Sequence, residues 1–480
     1  MTSPLMRAAI VIDTAAATPI YRQIYDAWRT GILNGRFRGG ERVPSTRELA
    51  DALAVSRSTV TQAYEQLIAE GYLQTLHGSG TFVCRELPEA SLRPRVGPRR
   101  RPPANVPARL SRFGAALRED FVYPPTPPGF ICFSRWGADL DHFPFALWRK
   151  LLVRHLRRAQ RETFDYGREA QGYPRLRQEI AAYVARSRAV RCTPEQVVVV
   201  NGSQQALDFC ARLLLEPGDT VAFEDPGYLG TRRVFDAYGA KLQPVPVDAE
   251  GIVVDAIDRK ARLAYVTPSH QFPTGVALSL KRRLALIEWA RAQRAVIVED
   301  DYDSEYRYSG PPLPALQGLA PDVAVIYCGT FSKVMFPGMR IGYVIVPPAL
   351  VPAFRRAKWL ADRHTPTLEQ AALADFLGEG HLDRHIRRMR RLYGHRREVL
   401  IDALARHFGD GARVMGDPAG MHVLVRFADD AVGERAAQNK VQMVSAGAYY
   451  LTKAPRNEFV IGFSTLGERT IRAGIKRIAR

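Results

Sequence analysis

Residues 85 to about 127 contain "RPRVGPRRRPPANVPARL" and "YPPTPPG", a stretch rich in proline and arginine and poor in apolar side chains. Such a segment cannot bury enough surface to offset the entropy of ordering it, so it reads as an extended linker. Whatever packs must pack on either side of it. Three regions are therefore predicted: a compact unit over 10–84, a linker over 85–127 and a large unit over 128–480. A chain of 480 residues, 46% of them hydrophobic, can supply more than one core. No internal repeat interrupts this division.

The formal net charge of +19 points to an acidic partner, nucleic acid first. Only +6 of it falls within residues 1–110, so most of the excess lies downstream and charge alone does not establish DNA binding. Cys84, Cys132, Cys192, Cys210 and Cys328 show no paired spacing, and they read as free thiols in a reducing compartment. The N-terminal "MTSPLMRAAIVIDTAAATP" has too short an apolar run for a signal peptide, and Asp13 interrupts it. No later stretch approaches the length that spans a bilayer, so the expected location is the cytoplasm with no membrane partner.

In the first unit, Ile20, Ile24, Trp28 and Ile32 recur at helical spacing, with Pro19 at the start. Ser45 or Thr46 can cap a second helix with Glu48 behind it, and a short turn at Ala54-Val55 leads to a further cap at Ser56. The helix after Ser56 is expected to bury Val60, Tyr64 and Leu67 while its first turn presents Ser56, Arg57, Ser58, Thr59 and Thr61. That is the arrangement of a helix-turn-helix, whose second helix meets base edges and phosphates in the major groove. "GYLQTLHGSGTFV" then reads as two short strands around a glycine turn, a wing with His77 at its tip. A small helical interaction domain with a solvated face is the plainer alternative. Two capped helices, a tight turn, a polar face and a wing occurring together favour DNA.

In the large unit, short apolar runs alternate with helical segments, as in an α/β domain with a largely parallel sheet. "QVVVVNGSQQALD" reads as a strand, a glycine turn and a helix, with Ser203 and Gln204 at the helix N-terminus, where free amides favour a phosphate. Other apolar runs end near Tyr228, in "EDPGY", near Asp300 and Tyr302, in "EDDYD", and near Lys333, in "GTFSK". Ligands in such folds gather outside the carboxyl ends of the strands. Lysine is scarce in a chain this rich in arginine, and lysine alone of the two can lose its proton and add to an aldehyde. An acid at 300 can hold a pyridine nitrogen protonated, a phenol at 302 can bond a ring hydroxyl, and Tyr228 can stack. Thr330 and Arg340 can join Ser203 and Gln204 around a phosphate. Each residue has an ordinary reading as surface lysine, loop cap, core aromatic or ion pair; their order and spacing together describe pyridoxal 5'-phosphate.

"PSTRELADALAVSRSTVTQAYEQLIAEGYL" with "HGSGTFV" resembles the winged helix-turn-helix of GntR-type regulators. "GSQQALD", "EDPGY", "TPSHQFPTG", "EDDYDSEYRY" and "GTFSKVMFPGMRIGY" look like fold type I aminotransferases. The combination, joined by a basic linker, is similar to the MocR subfamily. The resemblance implies a mainly α winged helix-turn-helix followed by an α/β fold type I aminotransferase-like domain dependent on pyridoxal phosphate. It implies Arg47, Ser56, Arg57, Ser58, Thr59, Thr61, His77 and Gly78 as contacts to double-stranded operator DNA. Lys333 is implied as the catalytic-type lysine in imine linkage to the cofactor, with Asp300 at the pyridine nitrogen, Tyr302 at the ring hydroxyl and Tyr228 stacking. A head-to-tail homodimer is implied as well.

Two positions depart from the aminotransferase pattern. Phe272 stands before Pro273 where an asparagine usually touches the ring hydroxyl, although "SHQFPTG" does look like the subfamily's own form. Val460 falls where those enzymes carry the arginine for a substrate carboxylate, with Arg456 or Arg232 as candidate substitutes. The expected function is transcription regulation, with pyridoxal phosphate itself or a small amine at Lys333 as effector and vitamin B6 or amino-compound metabolism as the controlled process. A working aminotransferase and a cofactor-free dimerisation scaffold are the alternatives.

Overall fold

A computed structural model describes residues 10–76, 78–87, 109–117, 126–159, 161–166 and 169–480. The chain divides into two compact units, 1–109 and 110–480. Most of the expected linker, and His77, lie outside the described residues. Within 109–117, Arg112–Ala116 forms a short helix whose Phe113 ring meets Tyr238 at 4.8 Å.

Among the described residues, the first unit contains three helices and a hairpin: α1 (Ile20–Leu33), α2 (Thr46–Leu53), α3 (Arg57–Ala69), β1 (Leu73–Leu76) and β2 (Gly80–Val83). Its core has Trp28 at the centre, 4.5 Å from the Phe37 ring and edge-on to Tyr64, and Ile24, Leu49, Val60, Leu67 and Val83 are all buried with it. Ser45 and Glu48 close a reciprocal cap on α2, Glu48 N donating to Ser45 Oγ (3.2 Å) and Ser45 N to Glu48 Oε2 (2.9 Å). Ala54 ends α2 in the left-handed region (φ 53°), and Ser56 caps α3 by accepting from Thr59 N. β1 and β2 pair antiparallel, Leu73 opposite Val83.

The second unit is built on an eight-stranded sheet. Its order is Val197–Val200, Gly342–Ile345, Val325–Thr330, Val296–Asp301, Leu263–Val266, Thr220–Asp225, Lys241–Asp248, Gly251–Ile252. The run from 325–330 through 241–248 is parallel, while Gly342–Ile345 pairs antiparallel with both neighbours and Gly251–Ile252 adds an antiparallel edge. The mainly parallel body agrees with the alternation of runs and helices. Strands such as 197–200 and 325–330 are buried throughout, as sheets covered on both faces require. A second sheet, wholly antiparallel, orders Ala412–Met415, His422–Phe427, Glu458–Gly462 and Val444–Ser445. The long helix His381–Phe408 leads into it. The five cysteines are all free, and no described helix is long and apolar enough to cross a membrane.

Candidate functional site

A cavity of about 330 Å³ opens at the carboxyl ends of the parallel strands. It is lined by all eight residues read from the sequence as a cofactor set: Ser203, Gln204, Tyr228, Asp300, Tyr302, Thr330, Lys333 and Arg340. The topology brings them together: seven follow or end strands that run one way, and Arg340 precedes the antiparallel Gly342–Ile345, so all eight emerge on the same edge of the sheet.

Three groups form one end. Gly202, at φ 85°, turns the chain into helix Ser203–Leu214, whose first-turn amides face the cavity end. A Cβ on Gly202 would lie 2.7 Å from the Arg340 guanidinium, so only glycine leaves room for that close approach. Arg340 donates to the Asn201 carbonyl (2.9 Å), and Thr330 accepts from Ser332 N (3.2 Å). Amides, hydroxyls and a guanidinium at a helix N-terminus can hold a phosphate.

At the other end, Asp300 is 5% exposed; its Oδ2 accepts from the Tyr265 hydroxyl (2.7 Å), and its Oδ1 is buried with no partner. An orphaned carboxylate oxygen facing a cavity fits a ligand that brings its own N–H. Burial raises the Asp300 carboxyl to about 6, despite the Tyr265 hydrogen bond that lowers it. Burial lowers the Lys333 amine against the pull of Asp303 and Asp300, which favours the neutral nucleophile. Lys333 Nζ donates to the Trp136 carbonyl at 3.0 Å.

Several neighbours carry no signal of their own in the sequence. Trp136, Tyr265, Thr267 and Ser332 also line the cavity. Behind Tyr302 lies a buried polar cluster. The Tyr302 hydroxyl is 2.9 Å from His270 Nδ1, which sits 3.1 Å and 3.2 Å from the Asp303 carboxylate oxygens. His422 lies beside them, its ring 5.0 Å from that of His270 and both of its nitrogens buried without a hydrogen-bond partner.

Phe272 fills the place expected for an asparagine with an apolar ring, edge-on to Tyr228 at 5.6 Å and to Tyr302 at 6.1 Å. Val460 is fully buried beside Phe272, Leu424, Ala446 and Tyr449 and does not line the cavity, so the position expected to take a carboxylate offers it no cation. Neither candidate substitute lines the cavity: Arg232 donates to the Tyr450 carbonyl (3.0 Å), and Arg456 is exposed. Among the described lining residues the cations are Lys333 and Arg340.

On the first unit, Arg47, Ser56, Arg57 and Ser58 are exposed and Thr59 and Thr61 half-buried around the start of α3. The Arg57 Nε reaches Thr46 Oγ1 (3.4 Å), and Thr61 Oγ1 donates back to the Arg57 carbonyl (2.9 Å). Gly78, at φ 74° with open space around it, forms part of the wing turn.

The family described as bacterial regulatory proteins of the gntR family matches residues 20–83, and aminotransferase class I and II matches 138–478. The chain is 40% identical to the probable rhizopine catabolism regulatory protein MocR of Rhizobium meliloti, over 98% of this chain and 95% of that one. It is 32% identical to the pyridoxine biosynthesis regulator PdxR of Corynebacterium glutamicum, over 96% of each. The structure of LysN, an α-aminoadipate aminotransferase from Thermus thermophilus complexed with N-(5'-phosphopyridoxyl)-L-leucine, is 29% identical. It superposes with a TM-score of 0.68, covering 74% of this chain and 92% of that one.

Proposed function

Because the chain belongs to the MocR type, pyridoxal-phosphate-dependent transcription regulators with a GntR helix-turn-helix before an aminotransferase class I and II domain, we propose that its cavity is a sensor whose state alters operator binding. Pyridoxal phosphate supplies an aldehyde and an electron-withdrawing ring. Lys333 provides the amine that meets the aldehyde carbon. Asp300 accepts from the ring nitrogen and keeps it protonated; its partnerless Oδ1 is the observation that carries the reading. Tyr302 bonds the ring hydroxyl and Tyr228 packs on the ring. Ser203, Gln204, Thr330 and Arg340 hold the phosphate.

The effector is pyridoxal phosphate itself or an amine that reaches Lys333. Val460 stands buried in place of an arginine, and the cations among the described lining residues are Lys333 and Arg340, which supports the first, or an amine without a carboxylate to seat, over an ordinary amino acid. The same lack of a further lining cation argues against a working aminotransferase, which would reveal itself by multiple turnovers. Arg47, Ser56, Arg57, Ser58, Thr59, Thr61, His77 and Gly78 form the reading face on duplex DNA. The homodimer, head-to-tail by the family resemblance, is supported as an association by apolar side chains left outside: Phe145 (47% exposed), Leu156 (48%) and Phe164 (67%), on segments that pack against helix Thr367–Gly378.

The test is the absorbance of the purified chain with pyridoxal phosphate. A violet band that is present in the native chain and absent in Lys333→Ala is the expected result. A shift of that band with one amine identifies the effector class, and a band indifferent to amines supports sensing of the cofactor. No Lys333-dependent band would overturn the cofactor roles.

A further inference from the structure

The small reading unit leaves most of the positive charge unexplained, since the other thirteen net charges lie beyond residue 110. Part of this excess is organised. On the long helix His381–Phe408, Leu382, His385, Ile386, Met389 and Tyr393 face the core. Arg384, Arg387, Arg388 and Arg391 are exposed on the other side. Their spacing of three, four and seven puts all four on one stripe. With Arg390 they line an open concavity of about 730 Å³.

Like charges at this spacing weaken a helix, so a stripe of them calls for something to neutralise it. Several surface arginines elsewhere in this unit have a carboxylate at hand: Arg212 has Asp208 (3.0 Å), Arg282 has Asp248 (2.8 Å) and Arg291 has Asp322 (2.6 Å). Among the described residues none of the four stripe arginines forms an ion pair. Arg384 and Arg388 reach only backbone carbonyls, of Glu379 and His142, and neighbouring histidine rings. The nearby acids are engaged elsewhere. Glu379 pairs with Arg154 and His381, Asp375 with Arg154, His155 and Arg175, and Asp383 faces Arg186.

We infer that this stripe is a docking surface for the phosphate backbone of duplex DNA, giving the aminotransferase-like unit its own nucleic-acid contact. The inference rests on the reading that the chain binds DNA. The stripe is about 10 Å long at 1.5 Å per residue. That is the axial rise of about three phosphates on one strand. Guanidinium forks match phosphate oxygens, and such contacts hold register without reading sequence. Helix Phe145–Arg158 makes the contrast. Its exposed Arg149, Lys150 and Arg157 are interleaved with Phe145, Val153 and Leu156, a mixture suited to protein. The arginine stripe has no apolar member.

The experiment uses the full chain with pyridoxal phosphate and a fluorescent duplex of arbitrary sequence, titrated between about 50 and 200 mM salt. The quadruple variant R384Q/R387Q/R388Q/R391Q should bind more weakly, with a salt dependence shallower by roughly 0.9 for each phosphate it no longer neutralises, so by about 2 to 4. The matching quadruple arginine-to-lysine variant should recover most of the slope, since charge and not packing is at issue. Both variants should keep the violet cofactor band, which shows that the unit is folded. An unchanged slope and affinity in the glutamine variant overturns the inference. So does an unchanged slope with an altered sedimentation coefficient, which would assign the stripe to a protein contact. If the native chain itself fails to hold any duplex, the DNA reading falls first and takes this surface with it.

Discussion

The two units keep their chemistry in opposite places. In the small unit the candidate reading residues lie outside, on the first turn of α3, while the core beneath is apolar and centred on Trp28. In the large unit the candidate residues lie inside, where Asp300 and its polar neighbours are buried at strand ends. An outward face can change its partner with little effect on folding. A buried polar cavity cannot, because the groups that would hold the ligand also carry desolvation penalties that only the ligand, or a proton, relieves. The reader is therefore expected to be separable from its own stability, and the sensor is not.

The largest effect that would break this contrast is a core change in the reader. Trp28→Ala should destabilise the small unit by about 3–5 kcal/mol, most of what a domain of this size has to lose. DNA binding should disappear in a fluorescence titration while the Lys333-dependent band persists; loss of both would mean the units do not fold independently. A middle-sized effect sharpens the other side. Asp300→Asn keeps the shape and removes the charge, and it should weaken pyridoxal phosphate by roughly 10- to 100-fold, the value of a hydrogen bond to a charged group. Equilibrium dialysis measures this directly, and unchanged affinity would remove Asp300 from the ring nitrogen.

The pH response follows from the same residue. Burial lifts Asp300 to about 6, above its unfolded value, so its contribution to stability is complete below the unfolded value and is lost as pH rises through about 6. A ligand carrying a protonated ring nitrogen offsets that loss. The rise in Tm on adding pyridoxal phosphate should thus be larger near pH 7.5 than near pH 5.5, by roughly a degree or more per kcal/mol recovered. Glu224 and Glu299, both lifted to about 7 by burial, titrate with and without the cofactor and largely drop out of the difference. The smallest effect is Ser45→Ala, which removes one half of the α2 capping box and should destabilise the small unit by about 1 kcal/mol with the large unit unmoved.

The small unit was almost wholly legible in the sequence because its determinants are local. Caps at Ser45 and Ser56, the turn at Ala54 and a 3.6-residue apolar period all act within a few residues. The cavity residues were legible for a related reason, since seven of the eight sit where an apolar run gives way to polar residues, and Arg340 just before one begins. What escaped depends on encounters between distant segments. Trp136 comes from a stretch with no period and meets Lys333 nearly 200 residues on. His270, Asp303 and His422 belong to three separate segments, and nothing near any of them forecasts the others. The C-terminal antiparallel sheet was equally silent, its strands being short and two of its members, His422–Phe427 and Val444–Ser445, lying on either side of a helix.

The strand Gly342–Ile345 lies between Val197–Val200 and Val325–Thr330, and a Cβ on Gly342 would crowd the Gly202 backbone at 3.1 Å. The turn that faces the cavity is therefore flanked by a strand made some 140 residues later. At a synthesis rate of about 5–20 residues per second, the ribosome needs roughly seven to thirty seconds to cover that distance. During that interval the small unit already has every residue of its own core outside the ribosome, while the sensor has no closed cavity. A nascent chain thus completes its candidate reading face before its cavity, and the order of synthesis itself sets which half of the molecule comes first.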